Sequence, residues 1–531
     1  MVAGPEPLAV EEGLKILREG GNAVDAAVAI AFALAVTHPQ AGNIGGGGFM
    51  LIRLPSGRSE FIDYREIAPA AAARDMFLDE RGEPVAGASL RTYRAVGVPG
   101  TVGGLALARA RFGTLPWRRL LSPAIRLARE GLPVSRGLAQ ELLSEKDRLA
   151  AWPSTRSIFF KGGEPLREGD LLVQKGLART LETLARDGDE AFYRGAIARA
   201  LEQEMTSHSG LITREDLAAY KPIVREPLQE TYRGYEIITA PLPSSGGVAL
   251  FEMLHMLEPF DLKTLGHNSS AYVHLISEIM KRAFADRARF MGDPGFVRVP
   301  LAGLLSRDYA ASLMKSFDPQ RATPAPAAGP GDPLAFEKPS TTHFSVMDAS
   351  GGVVSNTYTL NDSFGCAAVA GGLGFLLNNE MDDFSIKPGV PNLYGLVGGE
   401  ANSIAPGKRM LSSMTPTIVM KDGRPFMALG TPGGATIITS VLQVLLNVIE
   451  FGFDPQAAVD APRFHHQWLP DRIVLDRDGF AADVQEALKR RGHDVVEAAP
   501  RGDVQAILVD ERGSWVLGAS DARGYGVSRG D

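Results

Sequence analysis

The segment KPSTTHFSVMD, Lys338 to Asp348, joins two stretches with opposite structural tendencies. Before it, ATPAPAAGPGDP (322–333) is rich in proline, alanine and glycine, which predicts an irregular, loosely held connector. After it, THFSVMD and VVSNTYTL flank a DASGG turn with β-branched residues in alternation, which predicts a β-hairpin. Two threonines therefore stand where a connector becomes a strand, and this position raises the question whether the chain is cut there.

A threonine at a new chain terminus has chemistry that an internal threonine lacks. Its own α-amine can act as the base that activates its hydroxyl. An α-amine titrates near about 7.7–8.0, so roughly a tenth of it is already neutral at pH 7. From composition and spacing alone, strand propensity is the simpler explanation of the pair, and both interpretations stay open.

The remaining pattern predicts a layered α/β protein. Helices are expected at 7–19, capped by glycines, at 23–36, at Ser270–Phe290 and at 435–452, and the middle of the chain, 98–317, is mostly helical. Further hairpins are expected at 417–430 and 504–520. A helix-rich first part followed by a hairpin-rich last part favours sheets packed together inside, with helices outside.

Composition excludes several classes of protein. The chain has 531 residues, 45% hydrophobic and 22% charged, enough to bury a large core. Its net charge of −7 is unlike that of a nucleic-acid-binding protein, and we expect no such partner. The longest apolar run, Val28 to Val36, is shorter than the roughly 20 residues that cross a bilayer, so no membrane partner is expected either.

The single cysteine, Cys366, excludes an intramolecular disulfide and a cysteine-based zinc site, and we expect a buried, inert thiol. The glycine run Gly45 to Gly48 lacks the spacing of a phosphate or dinucleotide loop and is expected to pack against backbone. His465 and His466 are adjacent and would point apart. With no further ligand pattern, neither a metal nor another cofactor is expected.

The N-terminal stretch MVAGPEPLAVEEG has neither the basic region nor the apolar region of a signal peptide. As written, the chain is therefore expected in the cytoplasm. If a leader precedes Met1, the periplasm or the extracellular space is expected instead.

The stretch TTHFSVMDASGGVVSNTYTLNDSFG, Thr341 to Gly365, resembles the sequence around the nucleophile of the γ-glutamyltranspeptidase family, also called glutathione hydrolases. This family belongs to the N-terminal-nucleophile hydrolases. The resemblance continues, in family order, through GGNAVDAAVA (20–29), IGGGGFM (44–50), DYREIAP (63–69), LLNNEMDDFS (376–385), KRMLSSMTPT (408–417), TPGG (431–434) and PRFHHQWLPD (462–471).

The resemblance implies a four-layer αββα sandwich of the N-terminal-nucleophile hydrolase type. It also implies self-cleavage between Ser340 and Thr341 into a large subunit, 1–340, and a small catalytic subunit, 341–531. The two subunits would stay associated as a heterodimer within one αββα domain.

Catalytic roles also follow from the resemblance. Thr341 would attack the γ-amide carbonyl and form a γ-glutamyl ester, and Thr359 would hydrogen-bond this nucleophile and assist self-cleavage. The amides of Gly433 and Gly434 match an oxyanion hole. Tyr394, in PGVPNLYGLVGG (388–399), matches a gating aromatic on a lid loop that faces the residue at 361.

The implied substrate has a zwitterionic head, with an α-carboxylate and an α-ammonium. The α-carboxylate would contact the fork of one arginine and two serines, and the α-ammonium an amide and two carboxylates. Two carboxylates near one ammonium would select a free α-amine. These contacts are assigned to Arg65, Ser412, Ser413, Asn361, Glu380 and Asp383.

The expected function is cleavage of the γ-glutamyl amide bond of glutathione and related compounds. The acyl group would pass to water or to an amino-acid or peptide acceptor. The alternatives are a related acylase, for cephalosporin or glutaryl amides, a poly-γ-glutamate amidohydrolase, and a non-catalytic protein that binds γ-glutamyl ligands. Glu380 and Asp383 argue against a glutaryl substrate, because a glutaryl group has no ammonium.

Overall fold

Two antiparallel β-sheets form the centre of the protein in the computed structural model, which describes residues 1–333, 345–510 and 515–530. The strands are β1 (Val2–Gly4), β2 (Gly47–Arg53), β3 (Ser59–Tyr64), β4 (Leu132–Pro133), β5 (Phe160–Lys161), β6 (Glu164–Pro165), β7 (Leu171–Leu172), β8 (Ile223–Arg225), β9 (Leu228–Tyr232), β10 (Tyr235–Thr239), β11 (Ser345–Met347), β12 (Val353–Thr359), β13 (Thr417–Lys421), β14 (Arg424–Gly430), β15 (Phe464–His465), β16 (Ile473–Asp476), β17 (Val495–Ala498), β18 (Gln505–Val509), β19 (Val516–Ser520) and β20 (Val527–Arg529).

The helices connect these strands along the chain, and several of them pack on the outer faces of the two sheets. They are α1 (Pro7–Arg18), α2 (Ala23–Thr37), α3 (Thr101–Phe112), α4 (Trp117–Glu130), α5 (Arg136–Ser144), α6 (Lys146–Ala150), α7 (Pro153–Phe159), α8 (Lys175–Asp187), α9 (Glu190–Tyr193), α10 (Ala196–Ser207), α11 (Arg214–Ala219), α12 (Gly246–Leu257), α13 (Leu262–Leu265), α14 (Ser270–Phe290), α15 (Leu301–Leu304), α16 (Arg307–Met314), α17 (Thr436–Ile449), α18 (Pro455–Asp460) and α19 (Ala482–Arg490). Short 3-10 helices lie at Tyr93–Ala95, Glu380–Asp383 and Glu400–Asn402.

The two central sheets differ in strand order. The seven-stranded sheet runs β20-β1-β11-β12-β2-β3-β8, and the six-stranded sheet runs β19-β18-β14-β13-β10-β9. A smaller sheet, β15-β16-β17, has one parallel pair, β16 with β17.

The strand β2 shows how the sequence builds the layers. Its run FMLI is apolar at successive positions, as expected of a strand that is buried on both faces. Phe49 and Leu51 face the second sheet, in a core shared with Ile418 of β13. Met50 and Ile52 face the opposite way, into a core with the helices around α2.

The second sheet repeats this arrangement with its own helices, since its outer-face residues share a core with α12, α14 and α17. The order of layers is therefore helix, sheet, sheet, helix, and the predicted αββα sandwich is confirmed. Among the described helices none is both long enough and apolar enough to cross a lipid bilayer.

Several predicted elements are confirmed. The helix α14 has the predicted bounds, and α2 begins after Asn22, whose side chain caps it by accepting from Val24 N at 3.0 Å. The predicted hairpins are present as β13–β14, β18–β19 and, in its described part, β11–β12. A side chain at Gly46 would meet the Thr359 carbonyl oxygen at 2.1 Å, so the glycine run does pack against backbone. Cys366 is buried, and burial raises the pKa of its thiol to about 11.

The expectation of a mostly helical middle missed seven strands within 98–317, the two-residue strands β4 to β7 and the longer strands β8, β9 and β10. Both β8 and β9 are edge strands, and most of their side chains are only partly buried or exposed. Edge strands commonly contain charged and polar residues, so the hydrophobic alternation that predicts a strand is weak in them.

The connector 322–333 lies outside the α-helices and strands, as predicted, but it is not loosely held. The Ala325 N–H donates to Asp471 Oδ2 at 2.7 Å, and the Gly331 N–H donates to Asp286 Oδ1 at 2.8 Å. The expectation of a loose connector is therefore wrong for residues 322–331, because the carboxylates of Asp471 and Asp286 accept its backbone amides.

Candidate active site

The predicted site residues that fall in the described part of the chain line a single cavity of about 580 Å³. They reach it from the ends of several elements: one directly follows β3, one ends β12, and two precede α17. Ser340 and Thr341 lie outside the residues that the structure describes. The predicted residues that line the cavity are Arg65, Thr359, Asn361, Glu380, Asp383, Tyr394, Ser412, Ser413, Gly433 and Gly434.

A buried charge cluster forms one wall of this cavity. The guanidinium of Arg65 is fully buried, donates from Nη1 to Glu380 Oε1, and donates from Nη2 to Asp383 Oδ2 at 2.5 Å. Burial raises the pKa of both carboxyls, against the opposing effect of Arg65. A third carboxyl, Glu66, has its Oε2 3.8 Å from Arg65 Nη1, and burial raises its pKa to about 7.

This cluster has the charge pattern that a zwitterion requires. The guanidinium of Arg65 gives one hydrogen bond to each of the two carboxylates, and Glu380 Oε2 is buried with no hydrogen-bond partner among the described residues. A ligand with one positive and one negative group can enter between them. Its negative group then pairs with the guanidinium in place of the carboxylates, and its positive group pairs with the carboxylates in place of the guanidinium. A ligand with a single charge would leave one buried protein charge unpaired, which is costly.

The backbone at Asn361 links Thr359, at the end of β12, to the loop 388–399. Asn361 has φ 74°, and its N–H donates to Thr359 Oγ1 at 2.8 Å. Its carbonyl oxygen accepts from the Tyr394 hydroxyl at 2.5 Å. Tyr394 therefore faces Asn361, as the resemblance predicts, and contacts it directly.

The two glycines before α17, Gly433 and Gly434, both line the cavity. Within residues 1–333, 345–510 and 515–530, neither the Gly433 N–H nor the Gly434 N–H donates a hydrogen bond. They lie at the N-terminal end of a long helix, where partial positive charge favours an anion. Gly434 has φ +56°, and a Cβ there would lie 2.4 Å from Tyr394 Cδ1. The pair has the features of an oxyanion hole: available donors and no side chain in the way.

One of the two serines, Ser413, lies against a second buried cation that the sequence did not indicate. Ser413 Oγ accepts from Arg287 Nη2 at 3.1 Å, and Ser412 Oγ accepts from Met414 N at 3.2 Å. Burial lowers the pKa of Arg287 to about 10. Arg287 lies in α14, where basic residues recur throughout the last turns, so no sequence pattern distinguishes it from its neighbours.

Other residues of the cavity were also missed. A C-terminal segment contributes to the wall, although no motif marks it. Asp382, next to Asp383 but outside the cavity lining, accepts from Leu393 N at 2.9 Å and from Ser89 Oγ at 2.7 Å, so it binds the loop 388–399. The C-terminal residues that line the cavity are Asp503, Arg523, Gly524 and Tyr525.

One group of possible metal ligands lies outside the cavity. The ligand atoms of His274, Glu278 and His493 lie within 4.8 Å of one another. However, His274 Nδ1 and His493 Nε2 hydrogen-bond each other at 2.7 Å, and Glu278 accepts from Arg282 at 2.7 Å and lies 3.1 Å from Lys281. These contacts already satisfy the three side chains, so the group is a hydrogen-bond network rather than a metal site.

The four layers, with this cavity between the ends of the central strands, define the fold of the N-terminal-nucleophile hydrolases. A model of the family described as gamma-glutamyltranspeptidase matches residues 9–530. The chain belongs to this family, and the resemblance drawn from its sequence blocks is confirmed.

Individual relatives agree with this assignment. The glutathione hydrolase proenzyme of Escherichia coli (strain K12) is 49% identical over 524 residues, which cover 98% of this chain and 90% of that protein. The crystal structure of Helicobacter pylori gamma-glutamyltranspeptidase is 44% identical, with a TM-score of 0.61, and covers 62% of this chain and 95% of that chain. The structure of a cephalosporin acylase from Bacillus halodurans is 31% identical, with a TM-score of 0.87, and covers 99% and 94%.

Proposed function

We propose that the protein is a self-processing γ-glutamyl hydrolase/transferase that acts on glutathione and related γ-glutamyl compounds. The observation that supports this most directly is the fully buried Arg65, which is bonded to Glu380 and Asp383 in the same cavity as two available backbone amides. That cavity combines a site for an amino-acid head with a site for a developing oxyanion. The proenzyme name of the Escherichia coli relative supports both the substrate and the processing.

The proposed reaction begins with scission of the peptide bond between Ser340 and Thr341. The new α-amine of Thr341 takes the hydroxyl proton, and the oxygen attacks the γ-carbonyl carbon of the substrate. The negative charge that develops on the carbonyl oxygen is stabilised by the N–H groups of Gly433 and Gly434. The leaving amine takes the proton from the newly protonated terminal amine of Thr341, and a γ-glutamyl ester of Thr341 remains. Water or an acceptor amine then attacks this ester. The terminal amine of Thr341 takes a proton from the attacking group and passes it to the Thr341 hydroxyl oxygen as the ester bond breaks.

In this proposal the substrate head binds where the charge cluster now closes on itself. Its α-carboxylate pairs with Arg65, supported by Ser412 and Ser413, and its α-ammonium pairs with Glu380 and Asp383, supported by Asn361. This exchange keeps each buried charge paired, and so avoids the cost of an unpaired charge away from water.

The sheet topology supports a stable heterodimer after scission. Strands β11 and β12, from the proposed small subunit, lie between β1 and β2, from the proposed large subunit. Val2 pairs with Val346, and Arg53 pairs with Val353, in continuous antiparallel ladders. Separation of the two pieces would break these ladders and expose both sheet faces, so we expect them to remain together.

The likeness to a cephalosporin acylase gives a second candidate, a glutaryl-type acylase. A glutaryl group keeps the carboxylate of a γ-glutamyl group but lacks its ammonium. In such a complex Glu380 and Asp383 would lose Arg65 to the ligand and gain no cation. Comparison of γ-glutamyl and glutaryl p-nitroanilides therefore separates the two, and the γ-glutamyl substrate is expected to be preferred.

Gel analysis and mass spectrometry of the purified protein test the proposal as a whole. The wild-type chain should separate into pieces 1–340 and 341–531 and hydrolyse γ-glutamyl p-nitroanilide. Thr341→Ala should stay whole and inactive, whereas the matched control Thr342→Ala should still be cut before residue 341. A wild-type chain that stays whole and hydrolyses no γ-glutamyl substrate would overturn the proposal, and binding without turnover would favour a ligand-binding protein.

A further inference from the structure

The lid contains a compact turn, residues 392–396, which we call the lid turn. Its first side chain braces it, because Asn392 Oδ1 accepts from Tyr394 N and from Leu396 N, each at 3.1 Å. The Gly395 N–H also donates to the Asn392 carbonyl at 2.9 Å. The turn is therefore a small unit that presents Tyr394 in one orientation.

Through this tyrosine the lid turn contacts two parts of the cavity at once. The hydroxyl of Tyr394 donates to the Asn361 carbonyl at 2.5 Å. The ring lies against Gly434, so closely that a Cβ on the glycine would be 2.4 Å from Tyr394 Cδ1. The position of the lid turn therefore bears on both the predicted ammonium contact and the predicted oxyanion hole.

Outside the cavity, one side chain holds the turn by its backbone. Gln467 Nε2 donates to the Gly395 carbonyl at 2.8 Å and to the Tyr394 carbonyl at 3.3 Å. Its other end is held as well, because Gln467 Oε1 lies 2.9 Å from His465 Nε2, and His465 Nδ1 lies 2.9 Å from Thr439 Oγ1.

The protonation state of His465 fits this chain of hydrogen bonds. Burial lowers the pKa of His465 to about 4, so its ring is neutral at pH 7. A neutral ring has one donor and one acceptor, and here Nε2–H donates to Gln467 while Nδ1 accepts from Thr439. Thr439 belongs to α17, the helix whose N-terminal end follows Gly433 and Gly434. The lid turn is thus tied to the same helix that orients the two glycines.

We propose that Gln467 is a positioning residue for the γ-glutamyl reaction. It holds the lid turn against Asn361 and Gly434, and so acts through Tyr394. This inference rests on the proposed function. The residue before Gln467 has a separate partner, since His466 bonds to Asp471 rather than to the lid turn. The role is therefore specific to the amide of Gln467, which uses its donor and its acceptor at the same time.

Gln467→Glu tests the inference with almost no change in side-chain shape. A carboxylate has no N–H, so the Gly395 and Tyr394 carbonyls would lose their partner and face an anion. We expect kcat/KM for γ-glutamyl p-nitroanilide to fall about fivefold or more, which corresponds to at least about 1 kcal/mol. Both a lower kcat and a higher KM are expected. The rise in KM distinguishes a positioning role from a loss of stability, because a less stable fold would lower the active fraction and leave KM unchanged.

Gln203→Glu is the matched control, because it makes the same change at an exposed position on α10. It should leave kcat, KM and self-cleavage unchanged. If Gln467→Glu does not fold, Gln467→Met removes the same donor without adding a charge, and the same direction of change is expected.

A double-mutant cycle with Tyr394→Ala decides whether Gln467 acts through the tyrosine. In the Tyr394→Ala background, Gln467→Glu should change kcat/KM less than about twofold, because the two residues are coupled. Additive effects, or an unchanged kcat/KM in Gln467→Glu alone, would overturn the inference. A failure of the proposed function would look different, because the wild-type protein itself would then be whole or inactive.

Discussion

Replacement of Arg65 by lysine keeps the positive charge of the buried cluster but removes the planar fork. The guanidinium donates to Glu380 from Nη1 and to Asp383 from Nη2, so it holds two carboxylates with separate nitrogens. An ammonium on a shorter stem can retain one of these contacts. The same limit applies to a substrate α-carboxylate, which an arginine binds with two parallel hydrogen bonds.

The expected loss follows from this geometry. One hydrogen bond between charged groups is worth about 1.5–3 kcal/mol, so Arg65→Lys should lower kcat/KM for γ-glutamyl p-nitroanilide by about 10- to 150-fold. The fold should survive, because the buried carboxyls keep a cation. Arg65→Met would remove that cation, and removal of one partner of a buried pair costs about 3–5 kcal/mol of unfolding free energy.

Two further substrates show whether the loss arises at the α-carboxylate. A glutaryl anilide keeps the carboxylate without the ammonium, and a 4-aminobutyryl anilide keeps the ammonium without the carboxylate. Arg65→Lys should lower turnover of the glutaryl anilide as much as that of the γ-glutamyl substrate. It should lower turnover of the 4-aminobutyryl anilide much less. Arg74→Lys is the control, because Arg74 pairs with Glu400 at 2.9 Å on the surface. Equal losses on all three substrates would refute a carboxylate contact by Arg65.

Four other tests address separate parts of the site and its connector. Gly434→Ala should lower kcat about 100-fold or more, since the new Cβ would meet the Tyr394 ring and displace an oxyanion donor; steady-state kinetics with KM close to wild type would check this. Because burial raises the pKa of Glu380 and of Asp383, kcat/KM should fall as the pH is lowered and these two proposed ammonium acceptors become neutral, and the fall should begin above the usual carboxyl range. Glu66→Gln removes a negative neighbour of Glu380, so the acid limb of the pH profile should move to lower pH, and an unshifted limb would contradict this. Asp471→Asn should weaken the contacts of Asp471 with Ala325 N and Lys281, and limited trypsin digestion should then cut after Arg321 several-fold faster than in wild type.

Local sequence patterns were sufficient for much of the fold. The helix α14 follows from apolar spacing, and α2 follows from an apolar run that begins after a capping asparagine. Strands β8 and β9 were missed because they are partly exposed edge strands, where apolar alternation is weak. The connector 322–333 was misjudged because its anchors, such as Asp286, are distant in sequence.

The candidate site depended on resemblance rather than on pattern. No spacing rule brings Arg65 to Glu380, since their contact arises only when β3 and a distant 3-10 helix meet. Arg287 and Gln467 were missed for the same reason, because each is an ordinary polar residue until tertiary contacts give it a partner. Residues that act through others are therefore the part of the site that a single sequence hides best.

N-terminal sequencing of catalytically active protein is the most direct test of whether the nucleophile is created by scission. We expect two termini in the active material, Met1 and a second that begins TTHFSV at Thr341, with γ-glutamyl hydrolysis that rises in proportion to the second. Full activity in protein that shows Met1 as its sole terminus would contradict the central claim.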